Sequence, residues 1–365
     1  MRCYRCMKEY PSEYDVCPHC GNIVDGKDNN SNYLAAGTML LDRYYIGVAL
    51  GCGGFGIIYK AYDTMLDVVV AVKEYFPRGM VRRAETGREV YVNIKENERE
   101  YRSGLYRFMA EARTLAKFSK HENIVNVYNY YELNQTAYIV MEYLEGLSLK
   151  QYLDVNDGRM SVNDCLWVIQ SIANGLKSLH KERILHRDIS PDNIFLCSNG
   201  KVKLLDFGAA RLVLPSEGVA KAIVKVGYAP PEQYGIKEEQ GPWTDLYALG
   251  ATFYRALTGV VPMESIGRLK NDHIKQPKEY IDALDNVIPD YINNAVMKLM
   301  MLDVEDRFKN AEELLEVLEK KKVVSLVSVK KRNEIRERKK RIVAAIFLIL
   351  PVMLIVFVYI YTQGW

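Results

Sequence analysis

HRDISPDN, residues 186–193, is the stretch on which the reading of this chain turns. It carries a carboxylate, Asp188, and five residues later a carboxamide, Asn193. The first can take up a proton and both can offer oxygen to a hard cation, so the stretch resembles a loop that handles phosphate. Such a loop must be met by positive charge, yet Ser190, two residues after Asp188, brings none. Either the site is disabled or its cation comes from another segment.

Downstream the loop is followed by Asp206-Phe207-Gly208, by Ala229-Pro-Pro-Glu232, by Asp245 in WTDLYALG and by Arg307 in DVEDRF. Upstream, YYIGVAL, GIIYKAY and DVVVAVKEY are short runs of β-branched and aromatic residues, which predict strands from Tyr44 onward. Gly51-Cys-Gly-Gly-Phe-Gly56 joins the first two. In a dinucleotide fold this motif opens a helix; here another strand follows, so it reads as a hairpin. Gly51, Gly53, Gly54 and Gly56 lack Cβ atoms and let backbone N–H groups lie over phosphates, although the motif alone is equally an ordinary turn. Lys73 in VAVKEY and Glu111 in RFMAEARTLAKF change that balance. The second segment has helical periodicity through Phe108, Ala112, Leu115 and Phe118, and a helix glutamate paired with a strand lysine would aim the ammonium at α and β phosphates.

In this order and at these spacings the motifs resemble those of protein kinases, over about residues 44–320. With the terminal segments described below, the chain most resembles the bacterial membrane-bound, eukaryotic-like (Hanks-type) serine/threonine protein kinases. The resemblance implies an α+β, two-lobed protein-kinase fold with a five-stranded N-lobe plus one helix and a mainly helical C-lobe. It implies transfer of the γ-phosphate of ATP to Ser or Thr hydroxyls of proteins, autophosphorylation included, with Mg²⁺ or Mn²⁺. Asp188 would accept or orient the hydroxyl proton, Asn193 and Asp206 would hold the metal, and Lys73, fixed by Glu111, would hold the nonreacting phosphates. Adenine would lie against Ile58, Ala71 and Phe195, with hydrogen bonds from the backbone of Glu142, Tyr143 and Leu144 and with Met141 as gatekeeper. His186, Arg187, Phe207, Glu232, Asp245 and Arg307 take structural parts: Asp245 would anchor the catalytic loop, and Arg307 would pair with Glu232. A pseudokinase scaffold is the competing reading. It predicts damage at the base and metal positions, and Lys73, Glu111, Asp188, Asn193 and Asp206 are all present. A small-molecule kinase would use the same centre, but the segment ending at 229–232 resembles a platform for protein substrates.

Two departures from that family stand out. Its members carry a lysine two residues after the aspartate and, in the activation segment, a threonine that bonds to both. This chain has Ser190 in the first place and Lys225, three residues before Tyr228, in the second. The departures are complementary, so Lys225 is expected to return the lost cation from the opposite side of the cleft; the alternative is an exposed lysine without a role. Between Asp206 and Glu232 only Ser216 and Tyr228 carry hydroxyls, and a phosphate on Ser216 could pair with Arg187. The insert 76–104 is long and charged, either a regulatory or docking element or a solvated excursion. Cys52, at the tip of the glycine loop, is an oxidisable thiol or a bystander.

Composition sets the remaining bounds. A chain of 365 residues with 49% apolar and 26% charged residues is ample for real cores, and a net charge of +3 gives no argument for nucleic acid. Four cysteines form two CxxC pairs, Cys3/Cys6 and Cys17/Cys20, with ten residues between them. They can close one tetrahedron around a structural zinc; a redox pair or disulfides are the alternatives, and a reducing cytoplasm opposes the disulfides. A zinc ribbon over 1–24 would draw its folding energy from the metal, and a polar linker over 25–43 would follow. With separate cores, metal removal is expected to leave nucleotide binding largely intact. At the other end, residues 342–361 (IVAAIFLILPVMLIVFVYIY) run for twenty residues without a charge. As a helix they would cover roughly 30 Å, enough for one transmembrane helix, in which Pro351 is tolerated. Eight Lys or Arg against two Glu in 330–341 precede it. By the positive-inside rule this keeps the N-terminal part cytoplasmic on a single-pass cell-membrane anchor. The basic juxtamembrane segment 321–341 sets topology or binds anionic lipid. The N-terminus has no apolar signal region, and no motif sets the oligomeric state.

Overall fold

Alternating buried and partly exposed Val, Ile and Tyr residues build an antiparallel sheet from Met39 to Glu142. The computed structural model describes residues 1–23, 30–54, 56–206, 211–212 (backbone only), 224–235, 239–280, 287–328 and 331. Phe207, Gly208, Ser216, most of the basic run and the expected membrane span 342–361 lie outside the described residues. Among the described residues no helix is long and apolar enough to cross a membrane.

The strands are β1 (Met39–Leu40), β2 (Tyr44–Cys52), β3 (Gly56–Asp63) and β4 (Val68–Tyr75), then the hairpin β5 (Val81–Arg83) and β6 (Val90–Val92), then β7 (Val127–Leu133) and β8 (Thr136–Glu142). The main sheet has the order β1-β2-β3-β4-β8-β7, with six strands rather than the five the resemblance implies. The additional one is β1, whose Met39 and Leu40 pair with Tyr45 and Tyr44. Helix α1 (Glu98–Leu115) packs on this sheet through Tyr101, Phe108, Ala112 and Leu115, the spacing of one helical face. Tyr75 meets it with rings 5.3 Å from Tyr101 and 5.5 Å from Phe108.

Successive side chains of a strand point to opposite faces, so Glu74 lies on the face away from Lys73 and Tyr75. There it is fully buried and meets Arg83 of the β5–β6 hairpin, with Nη2 donating to Oε2 at 2.6 Å and Nη1 to Oε1 at 3.1 Å. The hydroxyls of Tyr59 and Tyr138 each donate to the same carboxylate at 2.9 Å, and Arg83 Nε reaches the Asn32 carbonyl at 2.8 Å. The first part of the insert is thus a cover fastened to the sheet, not a solvated excursion. Arg83→Met leaves the Glu74 carboxylate buried without its cation and is expected to cost about 3–5 kcal/mol. Urea unfolding measures this; Glu74→Gln added to it should recover a large part, because the uncompensated charge is gone.

The C-terminal lobe is helical: α2 (Leu149–Val155), α3 (Val162–Lys181), α4 (Pro242–Thr258), α5 (Ser265–Lys270), α6 (Asp290–Leu299) and α7 (Ala311–Glu319). Ser148 caps α2 in a capping box with Gln151, and Ser161 caps α3. Helix α4 is buried almost all round, with α3 and α6 packed on it, and ends at Gly259 in the left-handed region. Short strands frame the loop of interest: β9 (Gly146–Ser148), β10 (Ile184–Leu185), β11 (Ile194–Cys197), β12 (Val202–Leu204) and β13 (Arg211–Leu212). Residues 186–193 run from β10 to β11, and Asp206 follows β12. One hydrophobic cluster spans both lobes; a second, made of Cys3, Tyr10 and Cys17 with Cys6 against it, belongs to the N-terminal unit. The cores are separate as expected, yet the small unit is docked on β2.

Candidate active site and cysteine cluster

The glycine stretch is a hairpin between β2 and β3, closed by Gly53 N donating to Gly56 O at 2.8 Å. A Cβ on Gly56 would stand 2.4 Å from the Glu74 carbonyl oxygen, so only glycine lets the returning strand lie this close to β4. Pairing places Ile58 opposite Lys73, Ala71 opposite Met141 and Val70 opposite Glu142, with Tyr143 and Leu144 following at the strand end. Phe195 pairs with Ser148 across β11 and β9. The Glu142 side chain has its own role: it accepts from the Asn126 amide at 2.7 Å and pairs with buried Lys203 at 2.7 Å.

Lys73 Nζ donates to Asp206 Oδ1 at 2.6 Å and lies 3.6 Å from Glu111 Oε1, so strand β4, helix α1 and the residue after β12 converge on one ammonium. Burial alone would lower its pKa; the carboxylates of Asp206 and Glu111 outweigh that and raise it above the ordinary lysine value. Asn193 Nδ2 donates to Asp188 Oδ2 at 2.8 Å and to Asp188 O at 2.7 Å. With its nitrogen so committed, Asn193 has its carbonyl oxygen to offer a cation, and with the Asp206 carboxylate this is a donor set that fits Mg²⁺. Burial raises the Asp188 pKa, against the lowering effects of His186, Asn193 and Lys225.

The loop is held from below. Asp245, fully buried, accepts from the amides of His186 at 2.9 Å and Arg187 at 2.8 Å and from His180 Nε2 at 2.8 Å. Its burial would raise its pKa, but these donors hold the carboxyl below the usual range. His186 Nε2 faces the Leu205 carbonyl at 2.9 Å, and Gln233 Nε2 donates to the Arg187 carbonyl at 2.8 Å. Arg187 (φ 66) and Asp206 (φ 46) both sit in the left-handed region, where residues with a Cβ are held only by surrounding contacts. Arg307 forks onto Glu232 at 2.6 and 3.1 Å with both side chains inaccessible, and Thr244 Oγ1 donates to the same carboxylate at 3.0 Å.

Lys225 Nζ donates to Ser190 Oγ at 2.9 Å and is ion-paired with Asp192. Its carbonyl accepts the amides of Tyr228 and Ala229, which fixes the turn entering 229–232. Sequence reasoning missed Asp192, Lys203, His180 and Gln233. Each acts through a partner far away in the chain, and no local pattern marks them.

The four cysteine sulfurs lie within 4.8 Å of one another, with Cys3–Cys20 and Cys6–Cys17 at 3.7 Å. Four thiolates about 2.3 Å from one zinc would stand about 3.8 Å apart, so the set has the size of a Zn–S tetrahedron. Burial would raise the Cys17 pKa, but the amides of His19 and Cys20 and neighbouring thiols hold it down to about 6.

Residues 44–318 match the family model for the protein kinase domain. The chain is 32% identical over 287 residues to a probable serine/threonine-protein kinase of Clostridium acetobutylicum, covering 77% of this chain and 40% of that protein. It is 30% identical over 285 residues to the serine/threonine-protein kinase PrkC of Bacillus subtilis, covering 76% and 40%. It thus spans about two-fifths of the length of these relatives. The solved structure of PpkA-294 in its apo form is similar over 79% of this chain and 99% of that one, with a TM-score of 0.69 and 31% identity.

Proposed function

This chain belongs to the protein kinase family, and from that premise we propose that it transfers the γ-phosphate of ATP to Ser or Thr hydroxyls of proteins, itself included. The observation that carries the reading is that Lys73 meets Asp206 and Glu111 while Asn193 meets Asp188 and, through its backbone carbonyl, accepts the amide of Leu205 next to Asp206 at 2.8 Å, which gathers the set that phosphoryl transfer requires. Asp188 orients the attacking hydroxyl and takes its proton. Lys73, steadied by Glu111, holds the nonreacting phosphates under the glycine hairpin. Asn193 and Asp206 would hold Mg²⁺ or Mn²⁺, which neutralises charge on the phosphates when bound. Adenine lies between Ala71 and Phe195 against the 142–144 backbone, and Lys225 supplies the cation that Ser190 does not. The Cys3, Cys6, Cys17 and Cys20 set holds a structural zinc. Residues 342–361 anchor the chain in the cell membrane with the kinase on the cytoplasmic side, and Ser216 is a candidate phosphate acceptor that Arg187 would read.

The test is transfer of labelled phosphate from ATP by the chain to itself and to cellular proteins, with Asp188→Asn as the control. ATP binding without transfer above that control would put a nucleotide-binding scaffold in its place. For the anchor, a chain ending at 341 should leave the membrane fraction and keep its activity; sedimentation with membranes in high salt would remove that assignment, because salt strips electrostatic but not inserted contacts.

A further inference from the structure

We infer that the first cysteine knuckle positions the nucleotide loop: it holds β2 in the path that delivers Gly51, so that metal on the cysteine set governs ATP affinity. This rests on the kinase reading above. The pairing of β2 with β3 jumps from Ile46↔Ala61 to Ala49↔Tyr59 and then to Gly51↔Ile58. Five steps along β2 thus match three along β3, a double bulge ending where the glycine loop begins. Bulges free backbone groups from the ladder and re-aim the strand that follows. The freed Val48 amide is taken by the small unit, donating to the Tyr4 carbonyl at 3.0 Å.

The contact is made by the metal-binding knuckle itself. Tyr4 lies between Cys3 and Cys6, and Met7 follows Cys6. The knuckle is turned tightly, with Met7 N donating to Cys3 O at 3.0 Å and Met7 in the left-handed region at φ 64. Met7 is buried against Gly47, where a Cβ would stand 2.1 Å from Met7 Cε and 2.2 Å from the Tyr4 carbonyl oxygen. Glycine at 47 is therefore what allows the docking. The Tyr4 ring stacks on Tyr45 with centroids 6.0 Å apart, and the Arg2 guanidinium lies 3.5 Å over the Tyr62 ring. A unit with so small a core keeps this shape only while its ligands are gathered, so metal, knuckle, bulge and phosphate loop form one continuous chain of contacts. This revises the expectation that metal removal leaves nucleotide binding intact.

The test compares the full chain loaded with zinc, the same chain after chelation, Gly47→Ala loaded with zinc, and chelated Gly47→Ala. ATP affinity is read with a fluorescent ATP analogue, turnover by phosphate transfer and docking by hydrogen exchange at the Val48 amide. Chelation and Gly47→Ala should each expose the Val48 amide and weaken ATP binding by roughly tenfold, with kcat within about twofold. Because both break the same contact, chelating Gly47→Ala should add nothing. Met7→Ala, which alters no kinase residue, should shift affinity in the same direction and guards against misfolding of the Gly47 variant. The inference is overturned by unchanged ATP affinity with an exposed Val48 amide, by additive losses, or by a Val48 amide still protected after chelation. Loaded wild-type chain that binds no ATP analogue would instead overturn the kinase reading itself.

Discussion

Lys225→Met is expected to lower kcat by about a hundredfold or more while ATP affinity stays within about twofold. The reason lies in where charge develops. Lys73 is engaged by Asp206 and Glu111, and in the proposed reaction it holds the nonreacting phosphates. Lys225 instead reaches the 186–193 loop, bonded to Ser190 two residues from Asp188, the proposed base. A cation there would stabilise the transferring phosphoryl group more than bound ATP, so its loss should fall on the chemical step. Ser190→Lys in the Lys225→Met background should return part of the rate, since the new ammonium would start from the position where Lys225 now ends. A second readout separates a chemical from a structural role. Burial raises the Asp188 pKa and Lys225 opposes that rise, so removing Lys225 raises it further. If Asp188 is the base it works as the carboxylate, and the acid limb of the kcat/KM profile should therefore move to higher pH. Normal turnover with an unmoved acid limb in Lys225→Met would reduce the Ser190 contact to a structural one.

Asp188→Asn should reduce phosphate transfer by roughly a thousandfold, within the range for loss of a positioned general base. The substitution keeps shape and the capacity to accept one hydrogen bond, so the Asn193 contact and the backbone anchor on Asp245 remain available. What disappears is the negative charge that, in the proposed reaction, orients the hydroxyl and receives its proton. Single-turnover measurement with prebound ATP is the decisive assay, because ATP affinity should be nearly unchanged. A loss of less than about tenfold would mean that the hydroxyl proton leaves by another route.

Legibility followed the range of the interactions. The glycine hairpin, the Lys73 strand and the α1 helix were readable because period and turn chemistry are local properties of a few neighbouring residues. The strand count was not: β1 is only two residues long and exists because Met39 and Leu40 meet Tyr45 and Tyr44. The insert 76–104 read as charged and loop-like, since nothing near Arg83 announces that its guanidinium will be buried on Glu74 under two tyrosine hydroxyls.

By itself, the sequence determined the family, because HRDISPDN, Asp206, Lys73 and Glu111 occur in the order of the protein kinase domain, and it nominated the reacting groups, because phosphoryl transfer admits few residue types. It also determined that the four cysteines could gather, since each CxxC pair brings two sulfurs together through local turns. Only the tertiary structure decided that Asp192 joins Ser190 on Lys225, that Lys203 braces Glu142, and that the cysteine knuckle lies in the bulge of β2. These contacts join segments distant in the chain. They depend on sheet register and on how closely two backbones approach, and a single glycine at 47 permits the closest of them.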